Sequence, residues 1–131
     1  MTSSELWAFL PVGYVLTVGI ETPVLLIGLS STHHWPRRLW YGLWLTACTY
    51  PIVVLTLYPV MAVQPRWQYL LVAETFAPLV ECLLFWLSVR NNVEAGQRPS
   101  WLRDLSTIAA ANLASFSIGE LAYSMGFKVG S

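Results

Sequence analysis

The sequence predicts an all-α integral membrane protein, a polytopic bundle of four transmembrane helices. Two features of its composition favour this class: 56% of the 131 residues are hydrophobic and only 11% are charged, well below the roughly 25% typical of soluble domains. The apolar residues also fall into four stretches of about 20 residues, the length that a helix needs to cross a hydrocarbon core roughly 30 Å thick. Such segments are expected to be helical, because lipid offers the backbone no other hydrogen-bond partners.

The predicted spans are residues 7–29, 39–62, 67–89 and 105–127. They use most of the chain, so residues 1–131 are interpreted as a single transmembrane domain without room for a soluble active site. No basic segment precedes the first span and no small-residue cleavage site follows it, which favours a retained helix over a cleaved signal peptide. Tryptophans mark the span ends, as is typical of rings that settle at the headgroup level: Trp7, Trp35, Trp40, Trp67, Trp86 and Trp101.

The spans differ in their helix-breaking residues. Ala111, Ser115 and Gly119 recur at four-residue spacing in the fourth span, a stripe that favours close packing against another helix. Prolines lie inside the other three spans and predict kinks there, because an interior proline removes a backbone hydrogen bond and clashes with the preceding turn: Pro11, Pro23, Pro51, Pro59 and Pro78.

Basic residues are unevenly divided between the two sides of the membrane. Five lie in the loops at residues 30–38 and 90–104, against Arg66 and Lys128 on the opposite side. This imbalance predicts that both loops are cytoplasmic and that both termini are extracytoplasmic, in a bacterial inner membrane or a plasma membrane. The net charge is zero, which argues against nucleic acid as a partner, because phosphate binding needs a basic face.

Four acidic residues lie inside the predicted spans: Glu21, Glu74, Glu81 and Glu120. An ionisable side chain near a helix centre costs about 2.5–3.5 kcal/mol. Four of them facing lipid would cost about 10 kcal/mol, comparable with the net stability of a whole domain. We therefore expect them to face one another, a cavity or water, as a proton or cation site. Glu74 and Glu81 are seven residues apart and share a helix face.

Counting from the outer ends of the spans predicts two layers of polar residues. At 1.5 Å per residue, Glu21 and Glu81 lie about 21 Å deep, whereas Glu74 and Glu120 lie about 10 Å deep. Thr49 and Asn112 are expected to join the deeper layer. The hydroxyl of Tyr50 either joins the same layer or packs against a neighbouring helix.

No Lys or Arg lies within the predicted spans, so ion pairs inside the bundle cannot neutralise all four acids. Three states remain open: the acids are protonated, share protons as coupled pairs, or are ionised around a bound cation. Protonated glutamates could also have a purely structural role, in which they hydrogen-bond the helices together. The metal, if one binds, is unknown, but oxygen ligands without imidazole favour a hard divalent cation such as Mg²⁺, Ca²⁺ or Mn²⁺. Haem is not expected because the spans lack histidine, and retinal is not expected because they lack a lysine for its Schiff base.

Four further residues have weaker functional signals. His33 and His34 adjoin a helix end and are expected to be solvated, with a metal, haem or an anionic headgroup as alternative ligands. Cys48 and Cys82 fall within spans, where cysteine behaves as a small apolar residue, and no disulfide is expected. Cys82 is adjacent to Glu81 but has no histidine beside it, so nucleophilic catalysis has little support.

Three functions are compatible with these residues. The favoured hypothesis is a small membrane carrier or channel, expected to be a homo-oligomer in lipid, that moves a proton or cation through the four glutamates. The alternative is a non-catalytic transmembrane subunit or assembly factor of a larger membrane complex. The third and least favoured is an intramembrane lipid-modifying enzyme that uses a glutamate pair as general acid and base. Enzymatic activity is therefore left open, and the two non-enzymatic functions are favoured.

Overall fold

A computed structural model describes residues 2–92 and 100–126, and all of their regular secondary structure is helical. Four long helices follow one another: α1 over Ser3–Gly28, α2 over Trp35–Val60, α3 over Arg66–Asn92 and α4 over Trp101–Ser124. Each contains a segment long and apolar enough to cross a membrane. The predicted all-helical class with four candidate membrane spans is thereby confirmed.

Helices α1, α2 and α4 begin about one turn before the predicted spans, because polar residues build their first turns. In α1 the hydroxyl of Thr2 accepts the backbone N–H of Glu5, and the Glu5 carboxylate accepts the N–H of Thr2 in return. This reciprocal capping box satisfies two of the amides that a helix start leaves unpaired. Pro36 occupies the first turn of α2, where its missing N–H costs nothing. The earlier start of α4 brings Asp104 inside the helix.

Helix α2 changes its hydrogen-bond pattern near its C-terminal end. It is α-helical over Trp35–Ile52, π-helical over Val53–Leu57 and α-helical again over Tyr58–Val60. The wider turn lies between Pro51 and Pro59, which have no N–H to donate to the preceding turn. Turns of this kind are frequent at functional sites.

The four helices form a ring in which each packs against two neighbours. Both α1 and α3 pack against α2 and α4, so α1 and α3 occupy opposite corners of the bundle. The hydrophobic core lies between the C-terminal half of α1 and the N-terminal half of α2. Helices α2, α3 and α4 contribute two residues each, and α1 contributes one together with the residue directly after it: Leu25, Leu29, Tyr41, Leu45, Phe85, Val89, Ile108 and Ala111.

A glycine allows the closest approach between α1 and α2. A Cβ atom at Gly42 would lie 2.3 Å from Oγ1 of Thr22, so only glycine fits there without movement of α1. The predicted small-residue stripe of α4 packs only in part, since Ala111 is buried but Gly119 is exposed, with nothing within 4 Å of a Cβ built on it. The reason is that the helices pack most tightly in the half that holds the hydrophobic core.

We predict that Gly42→Ala destabilises the bundle, because the added methyl group overpacks the contact with Thr22. Overpacking of this kind costs about 1–3 kcal/mol. Thermal unfolding in detergent micelles would measure the loss. The matched control is Gly119→Ala, which meets open space and should unfold at or slightly above the wild-type temperature. Equal effects of the two substitutions would contradict the close contact.

Candidate functional site: a buried carboxylate pair

Two of the predicted acids lie in the interior of the bundle, on helices at opposite corners. Glu21 of α1 is 3% exposed and Glu81 of α3 is 4% exposed. Each lies one helical turn before a core residue, Leu25 and Phe85 respectively, and so shares the face that packs inward. The structure therefore keeps both side chains off the outer surface of the bundle.

Both carboxylate oxygens of Glu21 accept hydrogen bonds from hydroxyl groups. The Thr46 hydroxyl of α2 donates to Oε2 over 2.9 Å. The Ser115 hydroxyl of α4 donates to Oε1 over 2.7 Å. A carboxyl group of α1 is thus held between the two neighbouring helices.

The Glu81 carboxylate is held in the same way, between the same two helices. Thr49 of α2 donates its hydroxyl to Oε1 over 2.6 Å, and Asn112 of α4 donates its side-chain amide to Oε2 over 2.8 Å. Thr49 and Asn112 therefore lie where the sequence predicted them. Sequence reasoning missed Thr46 and Ser115, each three residues from one of these and hence on the same helix face.

The two carboxyl groups lie at the same depth in the bundle. Along α2, Thr46, the donor to Glu21, comes three residues before Thr49, the donor to Glu81. Along α4 the order is reversed, because Ser115, the donor to Glu21, comes three residues after Asn112, the donor to Glu81. Because α2 and α4 run in the same direction, these offsets of one turn cancel. The sequence placed both glutamates in one layer, and the hydrogen bonds place them there too.

Every hydroxyl in this network has a second acceptor within reach. The Thr46 hydroxyl lies 3.1 Å from the Gly42 carbonyl, and that of Thr49 lies 3.2 Å from the Leu45 carbonyl. The Ser115 hydroxyl likewise lies 2.9 Å from a backbone carbonyl of α4. A hydroxyl has one hydrogen to donate but can also accept. It can therefore donate to an ionised carboxylate, or accept from a protonated one while donating to its own helix.

Cationic side chains contribute nothing to this pair. Within residues 2–92 and 100–126, no Lys or Arg bonds to Glu21 or Glu81, and no group of three or more His, Cys, Asp or Glu is arranged to hold a metal ion. Removing two negative charges from water without a counter-charge is costly. A proton on one of the two acids, or a cation bound between them, would offset this cost.

Glu120 lies away from the buried pair, at the end of the bundle where α3 begins. Its carboxylate forms an ion pair with Arg66, and the two side chains are 35% and 45% exposed. The Arg66 guanidinium also lies over the Tyr123 ring, 3.9 Å from its centroid. Glu120 thus has an ion-pair partner from just outside the predicted third span.

Glu74 lies between this exposed pair and the buried carboxylates. It is half-buried and lies two helical turns before Glu81 on α3. No hydrogen bond from another described residue reaches its carboxylate. The four predicted acids therefore differ in their surroundings. Glu21 and Glu81 are buried with both carboxylate oxygens hydrogen-bonded, Glu74 is half-buried, and Glu120 is partly exposed in an ion pair.

Tyr50 packs against a neighbouring helix, which was one of the two predicted alternatives. Its ring centroid lies 6.5 Å from that of Tyr14 on α1. Its hydroxyl points at Gly13, where a Cβ atom would lie 1.7 Å from it. Both cysteines are free, and the Cys82 thiol contacts the Leu105 carbonyl at 3.8 Å.

A second polar cluster closes the opposite end of the bundle, and sequence reasoning missed it. Asp104 is completely buried and accepts from the Ser30 amide over 2.6 Å and from the Ser30 hydroxyl over 2.9 Å. Nε2 of His33 lies 2.9 Å from the same carboxylate. The expectation that His33 is solvated is wrong: it is 3% exposed and packs edge-on against Phe85, whereas His34 is exposed.

Two arginines complete this cluster by capping the C-terminal end of α1. Arg38 donates to the backbone carbonyls of Leu26, Ser30 and His33 over 2.6 to 3.0 Å. Arg103 donates to the carbonyl of Gly28 over 2.8 Å. Cations at a helix C-terminus satisfy unpaired carbonyls and complement the helix dipole. We call the five side chains of this cluster the loop clasp: Ser30, His33, Arg38, Arg103 and Asp104.

The fold and the site define a class: four helices apolar enough to cross a membrane, arranged around a buried carboxylate pair. Comparison with known proteins adds no narrower identity, since no protein family, curated protein or solved structure matches the chain. The geometry of the site is therefore the basis for a functional proposal.

We predict that Thr49→Val destabilises the bundle by about 1–3 kcal/mol, because a buried oxygen of Glu81 loses its donor. The free energy of unfolding in detergent micelles would measure this loss. The control is Thr75→Val on α3, whose exposed hydroxyl donates only to Leu71 of its own helix; its effect should stay within about 0.5 kcal/mol. A similar loss in both variants would argue against the Glu81 contact.

We further predict that Asp104→Ala costs at least about 3 kcal/mol of unfolding free energy, since three buried donors lose their acceptor at about 1–3 kcal/mol each. Glu120→Ala breaks an exposed ion pair and should cost about 1 kcal/mol or less. The same unfolding measurement ranks the two variants. The reverse order would show that Asp104 is not buried in the loop clasp.

Proposed function

We propose that this protein is a small membrane carrier or channel in which Glu21 and Glu81 bind and release protons during transport of a cation. The observation that carries this proposal is the set of reversible hydroxyl donors around the pair. Thr46, Thr49 and Ser115 can serve either an ionised or a protonated carboxyl group without leaving a buried polar atom unpaired.

The two buried acids would act as one coupled unit. Both are held between α2 and α4 at one depth of the bundle, so ionising both in an apolar interior would be disfavoured and the pair would gain or lose protons in two linked steps. A cation reaching the pair would replace a proton as the neutralising charge. This exchange is the physical basis for linking proton movement to cation movement.

Glu74 and Glu120 would form the outer part of the same route. Glu74 is half-buried and lies on α3 between Arg66, the ion-pair partner of Glu120, and Glu81, as a stepping point for a proton or cation requires. A hard divalent cation stays a candidate cargo. With only carboxylate and neutral oxygen ligands nearby, it would keep several of its waters.

The membrane topology belongs to the same proposal. The basic loops at residues 30–38 and 90–104 would face the cytoplasm of a bacterial inner membrane or a plasma membrane, with both termini outside. The interior prolines of α1, α2 and α3 would kink these helices. The exposed apolar faces would contact lipid and further copies of the chain, because four helices of this size enclose little volume.

A second candidate function is a non-catalytic subunit or assembly factor of a larger membrane complex. Gly119 favours it, since an exposed glycine with open space beside it lets a partner helix approach closely. Purification from native membranes separates the two proposals: co-purifying polypeptides favour the subunit, and a homo-oligomer favours the carrier. A lipid-modifying enzyme has less support, because the hydrogen-bond partners of Glu21 and Glu81 among the described residues are neutral hydroxyl and amide donors.

The proposed function predicts proton flux that requires both buried acids. The protein would be reconstituted in liposomes that contain Na⁺, Mg²⁺ or tetramethylammonium and are placed in a more acidic buffer, so that the proton gradient points inward. A pH-sensitive dye trapped inside would report proton entry. The double variant Glu21→Gln and Glu81→Gln keeps the shape of the site but removes the titrating groups, so flux should fall to that of empty liposomes.

The matched control for this experiment is Glu5→Gln, an exposed acid in the first turn of α1 whose capping bond glutamine can also make. Its flux should equal that of the wild type. Flux that survives in the double variant, or is equally lost in the control, would refute the proposal.

A further inference from the structure

We infer that the buried carboxylates are reached from only one end of the bundle in this conformation: the end that holds Glu74 is open, and the loop clasp is a closed gate at the other. This inference rests on the proposed function, since a gate has meaning only in a protein that moves a solute. It adds the direction of access and the residues that control it.

The hydrophobic core blocks the path between the buried acids and the loop clasp. Phe85 and Leu29 are 0% exposed, and Leu45 and Ile108 are 1% exposed, so α2, α3, α4 and the residue directly after α1 each contribute a sealed side chain. Leu29 and Phe85 come after Glu21 and Glu81 in the chain. Leu45 and Ile108 come before Thr49 and Asn112. A hydrated ion or a proton on water cannot pass a layer packed in this way.

The loop clasp fastens the same end beyond the core. Asp104 of α4 binds the segment that follows α1, and Arg103 of α4 binds the last turn of α1. Arg38 of α2 binds the end of α1 and the following loop. Three helices are thus tied together by charged groups, each of which reaches another helix or loop across the closed end.

The opposite end has no comparable layer within the described part of the chain. The described residues that are buried on this side are fewer and come from three helices: Leu6 and Gly13 of α1, Val54 of α2 and Ala73 of α3, with none from α4 beyond Asn112. The half-buried Glu74 lies on this side. The π-helical turn at Val53–Leu57 lies here as well, where its irregular hydrogen bonds allow α2 to adjust.

Release of a solute to the clasp side therefore requires the loop clasp to open and the core to part. Residues of the clasp would then set how often the gate opens, without touching the solute at Glu21 and Glu81. Weakening the clasp should expose the core to reagents from that side while leaving the open side unchanged.

Cysteine modification in nanodiscs tests this asymmetry, since both faces of the bilayer then meet the buffer. In a background with Cys48→Ala and Cys82→Ala, the reporters are Ala77→Cys, on the α3 face between Glu74 and Glu81, and Ala111→Cys, in the sealed core. A water-soluble trimethylammonium methanethiosulfonate reagent should modify the Ala77→Cys reporter at a rate at least about tenfold higher than the Ala111→Cys reporter. The reason is that the Ala111→Cys reporter reacts only after local opening of the core.

Adding Arg103→Gln should then speed modification of the Ala111→Cys reporter about tenfold, the order expected for one lost hydrogen bond from a charged group. Modification of the Ala77→Cys reporter should not change. Arg37→Gln, an exposed neighbour outside the clasp, is the matched control and should leave both rates unchanged. If Arg103→Gln unfolds the protein, Ser30→Ala, which removes one donor to Asp104, replaces it.

Similar modification rates at the two reporters would overturn the inference, and so would an Ala111→Cys rate that does not respond to a weakened clasp. Neither readout requires transport. A protein that shows the labelling asymmetry without proton flux in liposomes would therefore retain the one-sided access and lose the proposed function. A protein that shows proton flux without the labelling asymmetry would retain the proposed function and lose the one-sided access.

Discussion

The need to satisfy two carboxyl groups in an apolar interior constrains the whole bundle. Four oxygens of Glu21 and Glu81 must each find a donor, and α2 and α4 supply all four. These bonds fix the registers of the helices, since a shift of one residue along α2 or α4 would turn its donors away from the acids. The hydrophobic core alone could not fix that register, because it occupies only one half of the bundle and apolar contacts are not directional.

Because the hydrophobic core occupies only one half of the bundle, the two ends of the molecule differ in rigidity. Near the loop clasp, packed side chains and charged caps reinforce each other, since Arg38 and Arg103 hold the end of α1 while Asp104 holds the loop after it. At the other end, contacts are fewer and the backbone of α2 departs from regular geometry. Segments with few buried contacts open at lower free-energy cost than the core does. Motion of this bundle is therefore expected to begin at the end where Glu74 lies.

The sequence was sufficient to predict the helical class and the inward position of Glu21 and Glu81, because the cost of exposing a charge to lipid leaves few alternatives. Residue counting along the helices also placed Thr49 and Asn112 beside them. It could not find Asp104, since a hydropathy boundary omits the polar first turn of α4, nor His33, whose burial depends on a contact between segments 71 residues apart. The packing of Tyr50 on Tyr14 depends on the angle between α1 and α2, which periodicity does not determine.

The kind of donor at each acid makes the two buried carboxyl groups unequal. Asn112 has two amide hydrogens and uses them on Oε2 of Glu81 and on the Ile108 carbonyl, so that oxygen always accepts. A proton on Glu81 must then sit on Oε1, beside the reversible hydroxyl of Thr49. Glu21 faces hydroxyls on both sides and can carry its proton on either oxygen. An Arg or Lys in place of these donors would have held both acids ionised, whereas neutral donors leave their charge free to change. Among the described residues the pair has no basic partner, which is the condition that proton exchange by the proposed carrier requires.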